Sequence, residues 1–211
     1  MRIKPPYIAR VLFPQLLWEV DTKAKEIFLT FDDGPHPEIT PQVLEILGEF
    51  DAKATFFCVG ENVRKYPETY AAILEKGHKT GNHSFNHLNG WKTTNADYFD
   101  NIEQCRKRVD SNLFRPPYGR IKPSQLEVLN QQYRIVMWSV LSYDFDKNIS
   151  PEQCFQNSIV HTKAGSIVVF HDSEKARKNL LFALPKFLET FKKQGFLFHV
   201  LSENKGLRRP L

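Results

Sequence analysis

The sequence predicts an α/β fold in which short parallel strands alternate with longer helices. Runs rich in β-branched and aromatic residues, such as residues 26–31 and 166–172, alternate with segments whose apolar residues recur at helical spacing. Strands separated by a helix pair in parallel through right-handed crossovers. The fold is therefore an α/β barrel or a doubly wound sheet, and in either case the chemistry should lie at the carboxyl ends of the strands.

The predicted strands are short and are bounded by turn residues or helical segments. The first, EIFLTF, ends at two adjacent aspartates and a Gly-Pro pair, and SIVVFHD has the apolar character of a strand buried on both faces. In chain order, the predicted strands are residues 26–31, 54–60, 78–83, 133–140, 166–172 and 196–203.

The predicted helices carry recognisable start and stop signals. Thr40 is the expected N-cap of the first helix, with Pro41 at its first position, and Gly77 ends the second helix. Ser150 begins a capping-box pattern, and Pro185 is expected to bend or split the final helix. The predicted helices are residues 40–50, 66–77, 95–108, 123–131, 150–163 and 179–195.

Composition indicates one globular unit with no nucleic-acid partner. The chain has 211 residues, 41% of them hydrophobic, which is enough for a single substantial core. The net charge of +5 is spread along the chain without a nucleic-acid-binding motif, so a solvated basic surface is the simpler interpretation. Three widely spaced cysteines, Cys58, Cys105 and Cys154, favour free thiols in a reducing compartment. We therefore expect a cytoplasmic protein, and association with the cell envelope is the alternative. We also expect the protein to be a monomer.

The first 25 residues are interpreted as an N-terminal extension that packs on the barrel. Prolines and charged residues interrupt the apolar residues of this segment, and no small-residue cleavage site follows. The pattern predicts neither a signal peptide nor a membrane span. Its apolar triplets suit a cap over the core, and a position on a membrane surface is the alternative.

Polar residues that would be costly to bury collect where the predicted strands finish. Because the carboxyl ends of parallel strands meet at one rim, residues far apart in the sequence are expected to converge there. The clusters are Asp32 with Asp33, His83 with His87, residues 115–118, Asp144, and His171 with Asp172.

The spacing of two histidines suggests a metal site. His83 and His87 are four residues apart, so on a helical turn their imidazoles would point the same way. One carboxylate more would complete a His-His-carboxylate site with open positions, as in catalytic zinc sites. Such a cation would stabilise a neighbouring carboxylate in its charged form, so one residue of the Asp32–Asp33 pair can bind metal while the other serves as a base. The histidine pair alone is weak evidence, because two histidines on a surface helix commonly have no function, and the neighbouring Asp32–Asp33 pair strengthens the interpretation.

Five motifs together resemble those of a known enzyme family. TFDDG, HSFNH, RPPYG, WSVLSYDF and IVVFHD, in this order, are similar to the motifs of the polysaccharide deacetylases, carbohydrate esterases with a NodB-like homology domain. The resemblance covers residues 26–203 and implies a distorted (β/α) barrel of about seven parallel strands with outer helices. It also implies that residues 26–211 form a catalytic domain that removes N-acetyl groups from amino sugars of a carbohydrate substrate.

The resemblance assigns a role to each matching residue. Asp32 would be the catalytic base, and the other aspartate, with both histidines, would hold a divalent metal, most simply Zn(II), with Co(II) or Fe(II) as alternatives. The remaining catalytic roles and the pocket follow from the other motifs. The full set implied is Asp32, Arg115 (which orients the base), Tyr118 (whose N–H would bind the oxyanion), His171 (the general acid) and Asp144 (the carboxylate that raises the pKa of His171) for catalysis, Asp33, His83 and His87 for the metal, and Phe145, Val169 and Trp138 for the substrate pocket.

Two positions depart from the family's fourth motif and leave alternatives open. Leu141 stands where an aspartate is common, and Phe145 stands where tryptophan is common, so an indole N–H donor is lost. An amide hydrolase of a small non-sugar molecule and a non-catalytic carbohydrate-binding module are the competing interpretations. Lys175, Arg177 and Lys178 follow His171 closely, and we expect them to attract an anionic substrate.

Overall fold

A computed structural model describes residues 3–202, and all strand pairings in its sheet are parallel. Seven strands run in the order β5-β4-β3-β2-β1-β7-β6, and the short β8 pairs with the start of β1. The curled sheet and its helices confirm the predicted distorted (β/α) barrel of about seven parallel strands. The strands are β1 Glu26–Asp32, β2 Ala54–Cys58, β3 Lys79–Asn82, β4 Leu113–Phe114, β5 Arg134–Ile135, β6 Val140–Leu141, β7 Ile167–His171 and β8 Leu197–Phe198.

The helices follow the predicted order, with differences at their ends. Ser150 accepts a hydrogen bond from the Gln153 N–H, which confirms this N-cap, and the final helix continues unsplit through Pro185. The prediction of Thr40 as N-cap was wrong, because that helix begins at Ile39. The helices are α1 Tyr7–Leu12, α2 Ile39–Glu49, α3 Gly60–Lys65, α4 Pro67–Glu75, α5 Asn95–Arg106, α6 Pro123–Leu129, α7 Pro151–Ile159 and α8 Arg177–Lys193.

The single strand predicted at residues 133–140 is in fact two strands at opposite edges of the sheet. β5 pairs with β4, whereas β6 pairs with β7, and residues 136–139 cross between them. The backbone carbonyls of Val136 and Met137 accept hydrogen bonds from the Arg115 guanidinium, at 3.3 and 2.8 Å. Because these two carbonyls accept hydrogen bonds from a buried side chain, they do not accept them from the backbone of a neighbouring strand.

The segment before β1 is largely buried between the β5 edge and the start of β7. Leu17 donates its N–H to Ile135 and accepts from the Met137 N–H, while Val20 donates to Gly165. Leu16, Leu17, Trp18 and Val20 are all buried. Residues 16–20 therefore line the seam between the β5 edge and the start of β7. Residues 1, 2 and 203–211 of the predicted domains, including the last residue of the final predicted strand, lie outside the described residues.

The core has an inner and an outer layer, set by the alternation of side chains along the strands. Phe28, Phe57 and Ile167 from three strands form a cluster without helix residues, which places it inside the barrel. Leu29 and Phe31 face the other way, in a cluster with α2 and α8. Thus Thr30 and Asp32 follow Phe28 on the inner face of β1. The three cysteines are buried and free, as predicted, and none of the described helices is long and apolar enough to cross a membrane.

Candidate active site

The site begins at the paired ends of β1 and β7. Asp32, the last residue of β1, is in register with His171, the last residue of β7. The Asp172 N–H donates to the Asp32 carbonyl at 3.2 Å, so the two chains stay together beyond the strands. The residues of the first and fifth motifs therefore lie side by side at the carboxyl end of the barrel.

The chain turns sharply after β1, so that the two adjacent aspartates face different groups. Asp33 has φ of +78°, a left-handed conformation that costs about 1–3 kcal/mol in a non-glycine residue. Two hydrogen bonds hold it there: Asn62 donates to the Asp33 carbonyl at 2.8 Å, and the buried Gly34 N–H donates to Asp172 at 3.1 Å. A Cβ at Gly34 would lie 2.1 Å from the Asp172 carboxylate, so only glycine fits this position.

The two histidines converge through a loop, and the helical turn expected from their spacing was wrong. Ser84 and His87 have φ of +60° and +56°, and residues 83–89 contain no helix. Asn82 accepts from the Ser84 N–H at 2.8 Å, and the Ser84 hydroxyl accepts from the Leu88 N–H. The tight turn, stabilised by these side chains, brings the imidazoles to a ring separation of 5.0 Å.

The Asp33, His83 and His87 side chains have the geometry of a metal site. Their ligand atoms lie within 4.8 Å of one another, and Asp33 Oδ1 is 3.1 Å from His87 Nε2 and 3.8 Å from His83 Nε2. Tetrahedral zinc with bonds of about 2.0–2.2 Å requires ligand separations of about 3.3–3.6 Å, which these distances bracket. The residues thus fit a divalent cation with open coordination positions.

The protonation of these side chains also suits a cation. His83 Nδ1 lies 2.7 Å from the Arg115 carbonyl, so Nδ1 carries the proton and Nε2 is left as a lone-pair donor toward Asp33. Burial lowers the pKa of His83 to about 4, which keeps it neutral. Burial tends to raise the pKa of Asp33, but the hydrogen bond with His87 and the charge of His171 lower it well below its usual value.

Arg115 is fully buried and connects the candidate base to the barrel interior. Its Nη1 donates to Asp32 Oδ1 at 2.6 Å and to the Thr30 hydroxyl at 2.8 Å. Its remaining contacts are the two carbonyls of the crossing segment and the face of Phe57, 4.2 Å away. The guanidinium therefore neutralises Asp32 and fixes its orientation. Backbone carbonyls accept hydrogen bonds from Arg115. Leu141, which stands where the family commonly has an aspartate, pairs with Val169 in the sheet.

His171 and Asp144 form a second buried pair. Asp144 accepts from both the Nδ1 and the backbone N–H of His171, at 2.7 and 2.6 Å. Burial lowers the pKa of His171, but the charge and hydrogen bond of Asp144, with smaller contributions from Asp33 and Asp32, raise it to about 9. The imidazole is therefore protonated near neutral pH, with Nδ1 bound to Asp144 and Nε2 on the opposite side of the ring.

The residues of the predicted pocket and Tyr118 lie near the imidazoles of His171 and His87 or on the segments beside them. Phe145 meets the His171 ring edge-on at 4.8 Å, and the exposed Tyr118 meets the His87 ring at 4.6 Å. Trp138 packs against the turn after Tyr118, where a Cβ at Gly119 would lie 2.5 Å from its ring. Val169 is buried in β7, two residues before His171 and hence on the same side of the strand.

Of the three basic residues expected at the rim, two already have acidic partners. Lys175 lies 3.1 Å from Asp33 Oδ2, and Arg177 pairs with Glu38 and Glu174 at 2.6 and 2.8 Å. The Arg177 charge is therefore matched within the protein, and Lys175 sits directly at the metal-ligand group.

Sequence reasoning missed three side chains that hold the site residues in place through hydrogen bonds, those of Thr30, Asn62 and Asp172. Thr30 was detectable, since it stands two residues before Asp32 on the same strand face. Asn62 offered no local signal, because it reaches the Asp33 carbonyl from α3. Asp172 accepts hydrogen bonds from the Gly34 N–H and the Thr40 hydroxyl, and burial raises its pKa to about 8 despite the Thr40 hydrogen bond.

Comparison with known proteins identifies the family of this chain. The family described as polysaccharide deacetylase matches residues 19–134. A peptidoglycan-N-acetylglucosamine deacetylase of Bacillus cereus is 36% identical over 193 residues, covering 88% of this chain and 91% of its own. A chitooligosaccharide deacetylase of Azorhizobium caulinodans is 35% identical, covering 69% of this chain and 73% of its own. The crystal structure of the Bc1960 peptidoglycan N-acetylglucosamine deacetylase superposes with a TM-score of 0.86 at 31% identity, covering 93% of this chain and 95% of its own.

These features define the class of protein, a hydrolase with a candidate metal site on a (β/α) barrel. The site combines the Asp-His-His group with the adjoining acid and base candidates. The family match and the relatives make the assignment specific: this chain belongs to the polysaccharide deacetylase family.

Proposed function

We propose that this protein is a metal-dependent deacetylase that hydrolyses the N-acetyl group of N-acetylglucosamine in a polysaccharide or oligosaccharide and releases acetate. The observation that carries the proposal is the convergence of Asp33, His83 and His87 beside Asp32 and His171 at one end of the barrel. The names of the similar proteins support the substrate class. A sugar-binding module would need neither the ligand set nor the two paired titratable groups.

The metal would be held by Asp33, His83 and His87, and Zn(II) suits two imidazoles and a carboxylate, with Co(II) or Fe(II) as alternatives. Such a cation polarises an acetamide carbonyl and lowers the pKa of water. Among the ligands, Asp33 brings the single negative charge, and its backbone is fixed through Asn62 and Gly34. The ligand set is thereby organised before substrate arrives.

In the proposed reaction, Asp32 is the general base. One of its oxygens accepts the Arg115 hydrogen bond, and the other carboxylate oxygen can take the proton of the attacking water. Arg115 is a positioning residue, since its guanidinium contacts Asp32 and is buried away from the rim. Because Thr30, two backbone carbonyls and the Phe57 ring fix the guanidinium, its hydrogen bond orients the Asp32 carboxylate.

His171 is the proposed general acid. The Nδ1 of His171 is bound to Asp144, so the proton on Nε2 is the one available to the leaving amine. The Tyr118 N–H is assigned to the developing oxyanion, as a preorganised donor of a type typically worth about 3–4 kcal/mol. Phe145, Val169 and Trp138 are assigned to the wall around the acetate methyl group, with Phe145 directly against the His171 ring.

The test is acetate release from N-acetylglucosamine oligomers and peptidoglycan fragments, with metal added and then removed by chelator. Release that stops with chelator and returns with Zn(II) is the expected result. Absence of release in protein shown to carry its metal would contradict the proposal and favour the small-molecule amide hydrolase. The monomeric state, the cytoplasmic location and the boundary at residue 25 stay predictions, which sedimentation, cell fractionation and truncation would test.

A further inference from the structure

Helix α1 presents an apolar face to solvent. The side chains of Tyr7, Ile8, Val11 and Leu12 are between 56% and 81% exposed. At 100° per residue they occupy one side of the helix, while Ala9 and Arg10 are on the other. Four of the ten large hydrophobic side chains that are exposed among residues 3–202 thus fall within six consecutive residues. A soluble surface rarely groups them so densely.

This helix is fixed to the body of the protein. Ala9 and Phe13 pack against the buried cluster that contains Leu16 and Trp18, and the Trp18 indole donates to the Phe13 carbonyl at 3.1 Å. The exposed apolar face of α1 therefore has a fixed position on the protein surface.

A basic cavity adjoins α1. It has a volume of about 80 Å³ and lies at the amino ends of β6 and β7, since it is lined by the residues that precede them, Ser139 and Ser166. Three lining side chains are cationic, Lys4, Arg10 and Lys163, and one is anionic, Glu19. Glu19 lies 2.6 Å from Arg10 and 3.8 Å from Lys163. A single carboxylate leaves an excess of positive charge in the cavity, which meets α1 at Arg10.

We propose that the α1 face and the adjoining basic cavity dock this protein on an anionic lipid bilayer. The apolar side chains would enter the interface, and the cationic ones would face the lipid phosphates, the arrangement of interfacial helices. A protein partner fits less well, because a stable interface needs about 800 Å² on each side, more than four side chains supply. The candidate active site lies at the opposite, carboxyl end of the strands, so docking would direct it away from the membrane.

The experiment is co-sedimentation of the full chain with vesicles of phosphatidylglycerol and phosphatidylcholine, and with phosphatidylcholine vesicles alone. Wild type should bind the anionic vesicles, more weakly as salt rises, and bind the neutral ones poorly. Ile8→Ser with Leu12→Ser should lower the partition coefficient at least about tenfold. Lys4→Glu with Lys163→Glu should remove the preference for anionic lipid.

The matched control replaces exposed apolar side chains elsewhere, Leu74→Ser with Val128→Ser, and should bind as wild type does. All variants should keep wild-type deacetylation of a soluble oligomer, which separates this proposal from the proposed function. The proposal is overturned if wild type does not bind anionic vesicles, or if the Ile8 and Leu12 variant binds them equally well. It is also overturned if analytical ultracentrifugation shows a dimer that this variant dissolves, since the face would then join two copies.

Discussion

Replacing Arg115 with methionine tests the central ion pair of the site. Arg115 is completely buried and donates to Asp32 at 2.6 Å, to Thr30 and to two backbone carbonyls. Methionine is apolar and of comparable length, so it fills much of the space while removing the charge. Asp32 would then be a buried carboxylate without its cationic partner.

The expected cost follows from this burial. Breaking a buried ion pair by removing one partner typically destabilises a protein by about 3–5 kcal/mol, because the remaining charge is unpaired. For a chain of this size each kcal/mol lowers the Tm by about 2–4 °C, so Arg115→Met should lower it by about 6–20 °C. Acetate release should fall as well, since Asp32 loses the contact that orients it.

The assay is urea unfolding, for the free energy, and thermal unfolding, for the Tm, of metal-stripped protein, both followed by far-UV circular dichroism. Arg120→Met is the matched control, because that guanidinium is exposed and stacks on Trp91 at 5.1 Å; its loss should cost about 1 kcal/mol or less. The double variant Asp32→Asn, Arg115→Met should lose less stability than the two single variants lose together, by about 1–3 kcal/mol. Strictly additive single effects, or a cost no greater than that of Arg120→Met, would refute the buried-pair reasoning.

Three further outcomes are expected. Asp33→Ala should lose bound metal measured by atomic absorption, whereas Asp32→Asn should retain metal and lose turnover; equal metal content in both would contradict the ligand assignment. The pKa of His171 is raised to about 9, so the general acid is protonated below that value and kcat/KM should fall as pH rises through it. In Asp144→Asn burial dominates and lowers this pKa, so the alkaline limb should move to lower pH, and an unmoved limb would exclude His171 as the acid. Lys175→Met removes a cation 3.1 Å from Asp33, so calorimetry should show metal affinity rising about two- to fivefold, and unchanged affinity would show that the contact is inconsequential.

The prediction from sequence succeeded where the signal is local or periodic. Residues 26–31 showed a strand, Ser150 showed its helix start, and the alternation of strands with helices showed parallel pairing. It failed where a distant partner decides the local structure. Residues 133–140 have the composition of one strand, but the carbonyls at 136 and 137 bind a guanidinium from β4's end, so the strand divides.

The candidate site shows the same division. The sequence placed Asp32, Asp33, His83, His87 and His171 at the carboxyl rim, because the ends of parallel strands must meet there. It predicted a helical turn between the histidines, whereas the structure has a loop with two left-handed residues, fixed by side-chain hydrogen bonds.

By itself, the sequence determined the α/β class, the order of the elements and the residue types gathered at one rim, since periodicity and strand direction depend on neighbours in the chain. The motifs implied separate roles for Asp32 and Asp33, but the tertiary structure supplied the geometry in which Asp32 faces Arg115 while Asp33 faces the histidines. It also decided that His171 is charged and that α1 leaves its apolar side outside. The two ion pairs join residues that are not close in the sequence, 83 apart for Asp32 with Arg115 and 27 apart for His171 with Asp144, so burial and partner distance set their energies.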